Sequence, residues 1–185
     1  MRIPWGSRTI EWDGKVLAFL VVVLALSAAI VHYLTHYSST VPFLTSKAPA
    51  DWILFPQATR VGGKRVFNAK TTFRKNFAIS SKPASAHATF RAMRSGRLRV
   101  NGQEIPPVKE THPENRELEN WKLEKKADLT GLLQIGENCI EVDVANVGAS
   151  PALWFSLDMD GHIVPSDSTW EASISGSAWK NCACR

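Results

Sequence analysis

Residues 84–93, ASAHATFRAM, set Ala84, Ala86, Ala88, Phe90 and Ala92 against Ser85, His87, Thr89 and Arg91. A period of two places the apolar side chains on one face of an extended chain, so this stretch predicts a half-buried strand. The same reading spreads outward. Residues 71–80, TTFRKNFAIS, put Phe73, Phe77 and Ile79 on one parity, with Lys75 as the exception. Residues 97–102, RLRVNG, pair Leu98 with Val100 and end in Asn101-Gly102, a strong short hairpin signal. In 137–147, ENCIEVDVANV, the residues Ile140, Val142 and Val144 point inward, and Cys139 in this strand-like run reads as a small buried or half-buried residue rather than a nucleophile. Leu153, Phe155, Leu157 and Met159 repeat the pattern before an Asp160-Gly161 turn. Short strands divided by turns, with almost no helical periodicity among them, predict a mainly β chain built as an antiparallel β-sandwich.

The longest interruption is 103–122, QEIPPVKETHPENRELENWK, polar and broken by proline. Thr111 or His112 followed by Pro113 suits the start of a short helix. Such surface excursions commonly carry recognition, which makes Trp121 the best candidate for an exposed contact residue. Trp154 has outward parity opposite Leu153 and Phe155 and is the second. Trp170 reads as core, and Trp52 and Trp179 as plugs at the domain's ends.

One N-terminal segment differs from all of this. Residues 16–34, VLAFLVVVLALSAAIVHYL, free of charge, amide and proline from Val16 to Val31, are long enough to cross a bilayer core as a helix. Arg2, Arg8 and Lys15 precede the run, which predicts a cytoplasmic N-terminus and a domain on the far side. A cleaved signal peptide would end near Ser27-Ala28-Ala29, but Ile30 and Val31 continue the apolar run, so an uncleaved anchor is expected. The chain divides into a cytoplasmic segment 1–15, a transmembrane helix 16–34, a Ser/Thr/Pro-rich spacer 35–50 and a domain 51–185. Trp5, Trp12, Tyr33 and Tyr37 suit the membrane interfaces. Ala18, Ala25 and Ala29 lie near one helical face and offer a packing surface for another helix. His32 and His36, at i and i+4, could ligate a metal, haem or pigment at the interface, although residence in the headgroup layer is the simpler account.

The net charge is +5, with three cysteines. Eleven basic residues, Arg97 and Arg99 among them, fall between Trp52 and Gln103 without one acidic residue, and acidic residues dominate from Glu104 to Asp143. A basic cluster would suit anionic headgroups or an acidic protein surface, and the expected compartment argues against nucleic acid. Arg97 and Arg99 are taken as candidate ligand or partner contacts. An odd cysteine count with a terminal Cys182-x-Cys184 supplies too few ligands for a zinc site.

The order of motifs resembles a known family. Phe73-Arg74-Lys75-Asn76-Phe77, the alanine-alternating strand, Val100-Asn101-Gly102, Asp128-Leu129-Thr130 and Gly136-Glu137-Asn138 follow in turn. Ile140-Glu141-Val142, Asn146, Gly161 and Ser166-Asp167-Ser168-Thr169-Trp170 complete the set. This is similar to the galactose-binding-type jelly-roll sandwich attached to bacterial rhamnosidases and β-galactosidase-like glycoside hydrolases. The resemblance implies a jelly-roll topology and an ancillary, sugar-binding kind of domain, with catalysis in a separate barrel and in many cases a structural calcium. Asn138 and Asn146 read as residues that satisfy loop backbone groups.

Glycoside hydrolysis needs two carboxylates about 5–9.5 Å apart across one bond. Glu104, Glu110, Asp128, Asp158, Asp160 and Asp167 occupy no such context, and the Asp158–Gly161 stretch reads as a hairpin turn rather than a calcium loop. His87, His112 and His162 have no nucleophile partner, so no enzyme activity, no catalytic residue and no cofactor is expected. The first functional reading is a single-pass accessory subunit in a bacterial inner membrane, its sandwich periplasmic or extracellular. Helix and sandwich would both dock on a larger membrane-protein complex, for instance an energy-transducing or transport assembly. The alternative is a membrane-tethered carbohydrate-binding module for envelope glycans, and a third is the front end of a longer glycoside hydrolase.

Overall fold

The computed structural model describes residues 14–38, 41, 44–45, 47–56, 68–93, 95–106, 121–147 and 150–184. The interface tryptophans Trp5 and Trp12, the basic residues Arg2 and Arg8, Glu110 and the short helix expected near Pro113 lie outside these residues.

The apolar run forms α1 (Gly14–His36), exposed along its length, with a mean hydropathy of 2.5 over its most apolar stretch. It is long and apolar enough to cross a membrane, as an anchor or as a signal sequence. In its last turn Thr35 gives its hydroxyl back to the carbonyls of Val31 and His32 at 2.8 and 3.1 Å.

Twelve strands follow among the described residues: β1 (Ile53–Leu54), β2 (Asn68–Ile79), β3 (Ala86–Ala92), β4 (Ser95–Val100), β5 (Gln103–Ile105) and β6 (Lys125–Asp128). The rest are β7 (Gly136–Val147), β8 (Ala152–Met159), β9 (His162–Pro165), β10 (Glu171–Ile174), β11 (Lys180–Asn181) and β12 (Ala183–Cys184). They make two antiparallel sheets, one ordered β12-β1-β8-β3-β6 with β9 on β8, the other β11-β10-β2-β7-β4-β5. The expected alternation is what closes the sandwich. Ala86, Ala88, Phe90 and Ala92 from one sheet meet Phe73, Leu98, Val100, Ile140, Val142 and Val144 from the other in one core. Trp170 joins them, its ring 5.1 Å from that of Phe155 and its indole N–H bonded to the Pro165 carbonyl at 2.9 Å. Phe77 and Ile79 pack at its margin.

The turns also form as the sequence predicts. Asn101 (φ 50°) and Gly102 (φ 83°) take the left-handed pair that a tight hairpin requires, and Asp160 (φ 51°) with Gly161 (φ 86°) does so between β8 and β9. Asn138 is buried and receives the Gln134 N–H while donating to the Gln134 and Gly136 carbonyls. Asn146 donates to the Ser150 carbonyl at 3.3 Å.

Two expectations need correction. Trp121 is not exposed: it is 5% accessible, packed edge-on to Trp52 at 6.0 Å. Trp154 does point away from the sandwich core, as its parity requires, yet it is only 2% accessible, because the chain between α1 and β1 lies over it. A second, smaller apolar cluster results, with Trp52, Trp121, Trp154, Ala50 and Ala152 at its centre. Strand register could not show it, since its cover comes from outside the strands.

Candidate functional site

The outer faces of the two sheets carry different chemistry. On the β8–β3 face, Trp154 and Arg91 are cross-strand partners, with the guanidinium 5.3 Å from the indole ring. The Trp154 N–H reaches the carbonyls of Lys47 and Ala50 at 3.0 and 2.9 Å, and the Trp52 N–H reaches that of Thr45 at 3.0 Å. Three tryptophans therefore hold the incoming chain against the sheet. Glu124 receives Arg91 Nη2 at 2.7 Å and also pairs with Lys47. Burial alone would raise its carboxyl, but the two cations hold it below the usual range. Next to it, the buried Lys122 sends its ammonium to the carbonyls of Leu34 and Thr35, at 3.0 and 2.5 Å, capping the last turn of α1.

On the β2–β7–β4 face, cross-strand register sets carboxylates beside cations and a hydroxyl. Thr72 faces Asp143, Arg74 faces Glu141 and Glu171, Arg97 faces Asp143, and Arg99 faces Glu141. Asp143 accepts from the Thr72 hydroxyl at 2.6 Å and from Arg99 Nη1 at 2.9 Å, with Lys70 3.3 Å away. Arg99 also reaches Glu141 at 3.2 Å. Arg74 grips Glu171 at 2.8 Å and stacks on the Trp179 ring, 3.8 Å from its centroid. Arg97 lines a shallow hollow of 220 Å³ with Lys70, Asp143 and Ala145. The face is thus a polar lattice in which Asp143, Glu141 and Glu171 each pair with a cation and Arg97 lines the hollow beside them, which suits hydrogen bonding to a ligand more than proton transfer.

The structure unites some of the sequence candidates and separates others. Arg97 and Arg99 share the charged face, while Trp121 and Trp154 belong to the opposite side of the sandwich. Ala18, Ala25 and Ala29 are exposed on α1, and the rings of His32 and His36 stand 4.5 Å apart. No group of three or more His, Cys, Asp or Glu residues is assembled for a metal among the described residues. The loop carboxylates are tied up in turns. Asp128 takes the N–H and hydroxyl of Thr130, Asp158 the Gly161 N–H, Asp160 the N–H groups of Ala84 and Ser85, and Asp167 the Thr169 N–H. Sequence reasoning passed over Lys122, Arg91 and Glu124. A lysine following a tryptophan carried a weak signal, but what it caps lies 87 residues away.

No protein-family model and no curated protein matches the chain. Solved structures do. An α-L-rhamnosidase from Streptomyces avermitilis superposes with a TM-score of 0.55 at 16% identity, over 73% of this chain and 14% of that one. An α-L-rhamnosidase from Aspergillus terreus gives 0.51 at 23% identity, over 71% and 18%. The lectin of Pleurotus ostreatus, in its apo form, gives 0.52 at 18% identity, over 77% and 44%. The sandwich has the galactose-binding-like fold. The chain spans less than half the length of each of these proteins, and the galactose-binding-like sandwich corresponds to one part of the rhamnosidases. At these identities the likeness concerns the fold, and the galactose-binding-like sandwich needs its own argument for function.

Proposed function

We propose that this protein is a non-catalytic, single-pass accessory subunit whose sandwich docks on or stabilises a larger membrane-protein complex. In this reading α1 remains as an uncleaved anchor in a bacterial inner membrane, with the N-terminus cytoplasmic and the sandwich on the far side. The observation that carries it is the mount. Lys122 caps α1, and Trp52, Trp121 and Trp154 clamp the connecting chain, so the domain is held in a set pose against the end of α1. A fixed pose serves docking, whereas a freely roaming binder needs only a loose tether. The tryptophans expected to stack on sugar are consumed in this mount, and the exposed alanine face of α1 offers a helix partner close approach.

Extraction in mild detergent followed by sizing tests the proposal. Stoichiometric partners should travel with the chain and be lost when Ala25 and Ala29 are replaced by leucine. Migration as a lone monomer overturns it.

A carbohydrate-binding module is the second reading, favoured by the fold shared with a lectin and by the polar lattice around Arg97 and Arg99. Saturable binding on a glycan array, abolished by Arg97→Ala, would establish it in place of docking.

A further inference from the structure

We propose that the hollow where α1 meets the sandwich holds the phosphate of an anionic membrane phospholipid. The hollow measures 310 Å³, and one wall is the end of the helix itself, His36 and Tyr37. If α1 spans the bilayer, as proposed above and as this inference requires, that wall stands where hydrocarbon gives way to headgroups.

Among the described residues its lining is mainly basic: Arg91, Lys122 and Lys126 stand there with one carboxylate, that of Glu124, which is already shared by Arg91 and Lys47. Arg91 gives Nη2 to Glu124, and its buried Nε finds no acceptor among the described residues. A phosphate brings several acceptor oxygens at once, which suits the guanidinium of Arg91 and the exposed ammonium of Lys126. Burial pushes the Lys122 ammonium below its ordinary value, and a neighbouring anion would favour the charged form.

Leu123 gives the hollow its amphiphilic character. It lines the same space between Lys122 and Glu124 and is 55% exposed, one of the few large apolar side chains outside α1 left open to solvent. An apolar side chain beside a cationic hollow matches a molecule that presents an acyl chain next to its phosphate. A free phosphate ion would use the cations and leave Leu123 without a role.

The full chain in neutral detergent can be examined by native mass spectrometry with phosphatidylglycerol, phosphatidylcholine or inorganic phosphate as probe. One phosphatidylglycerol should be retained preferentially over phosphatidylcholine, with inorganic phosphate at most a weak competitor. Lys126→Gln, on an exposed side chain, should weaken retention about fivefold, and adding Lys122→Gln should weaken it about fivefold again. Lys82→Gln, in an exposed loop, should change nothing. Equal retention of the two lipids, indifference to Lys126→Gln, or capture of phosphate without lipid each overturns the proposal. Resistance of the full chain to alkaline carbonate extraction from membranes reports separately on the anchor. Failed lipid retention in an integrated protein therefore sinks this inference alone.

Discussion

Trp154 donates its indole N–H to the carbonyl of Ala50 at 2.9 Å, joining the middle of a sheet to the chain arriving from α1. The same hydrogen is shared with the Lys47 carbonyl at 3.0 Å. Both contacts come from one buried side chain, so its loss should be felt in the connector before the sandwich. Trp154→Phe should cost about 1–2 kcal/mol through the lost hydrogen bonds, and Trp154→Ala about 3–5 kcal/mol through the cavity as well. Urea titration of the full chain in detergent checks the magnitudes. Limited proteolysis should find the connecting chain cut sooner in the phenylalanine variant, and an unchanged cleavage rate would contradict the clamp.

Asp143 sets an acid limit. Burial would raise its carboxyl, but the Thr72 hydroxyl, Arg99 and Lys70 outweigh that and hold it below the ordinary aspartate value. A carboxyl depressed in the folded state stabilises the protein fully above the unfolded-state value, roughly pH 4, and loses that contribution as pH falls through its folded-state value. Acid unfolding of the native chain should therefore steepen below roughly pH 4, and Asp143→Asn should flatten that part of the curve. At neutral pH the same variant should be less stable by about 1–2 kcal/mol, the worth of its charge-assisted bonds. Parallel acid titrations followed by circular dichroism would contradict this if they coincide.

Gly96 admits no side chain. A Cβ built there would lie 2.6 Å from the Cβ of Ala92 and 3.4 Å from the Phe90 ring, both in the core. Neither neighbour can retreat easily, since Ala92 has no rotamer to change and Phe90 is enclosed. Gly96→Ala should destabilise by about 1–3 kcal/mol. Ala92→Gly introduced into the same chain removes the colliding methyl and should recover part of the loss. A double-mutant cycle that sums without coupling would show the contact to be unimportant.

The three thiols should react in an order set by exposure. Cys182 is buried between β11 and β12, and burial pushes its thiol up to about 12. Cys139 and Cys184 are raised too, chiefly by burial, but Cys184 is exposed and Cys139 half-buried. Alkylation of the reduced, folded chain at neutral pH should mark Cys184 first and leave Cys182 unmarked until urea is added. Peptide mapping reads the order directly, and early labelling of Cys182 would mean that β11 and β12 open in the native state.

Local chemistry explains how much of the fold could be read in advance. Strand parity depends only on the alternation of the pleat, so Ala86, Phe90, Ile140 and Val142 declared their inward faces without knowledge of their partners. Turn residues act over two positions, which is why Asn101-Gly102 and Asp160-Gly161 were legible. The polar partners of β2 and β7 were visible as well, the Arg74 cation and Thr72 hydroxyl on one strand and Glu141 and Asp143 on the other, but their match required the register between strands distant in sequence.

The order of residues alone determined a single long apolar helix and a two-sheet module behind it, because hydropathy and period are properties of neighbours along the chain. Tertiary structure decided the fate of Trp121, and of Trp154, whose outward parity was readable but whose cover was not. Burial on an outer sheet face depends on which distant segment comes to lie there. The role of Lys122 was decided in the same way: an ammonium finds the carbonyls of Leu34 and Thr35 only once the sandwich has closed and returned the chain to the end of the helix.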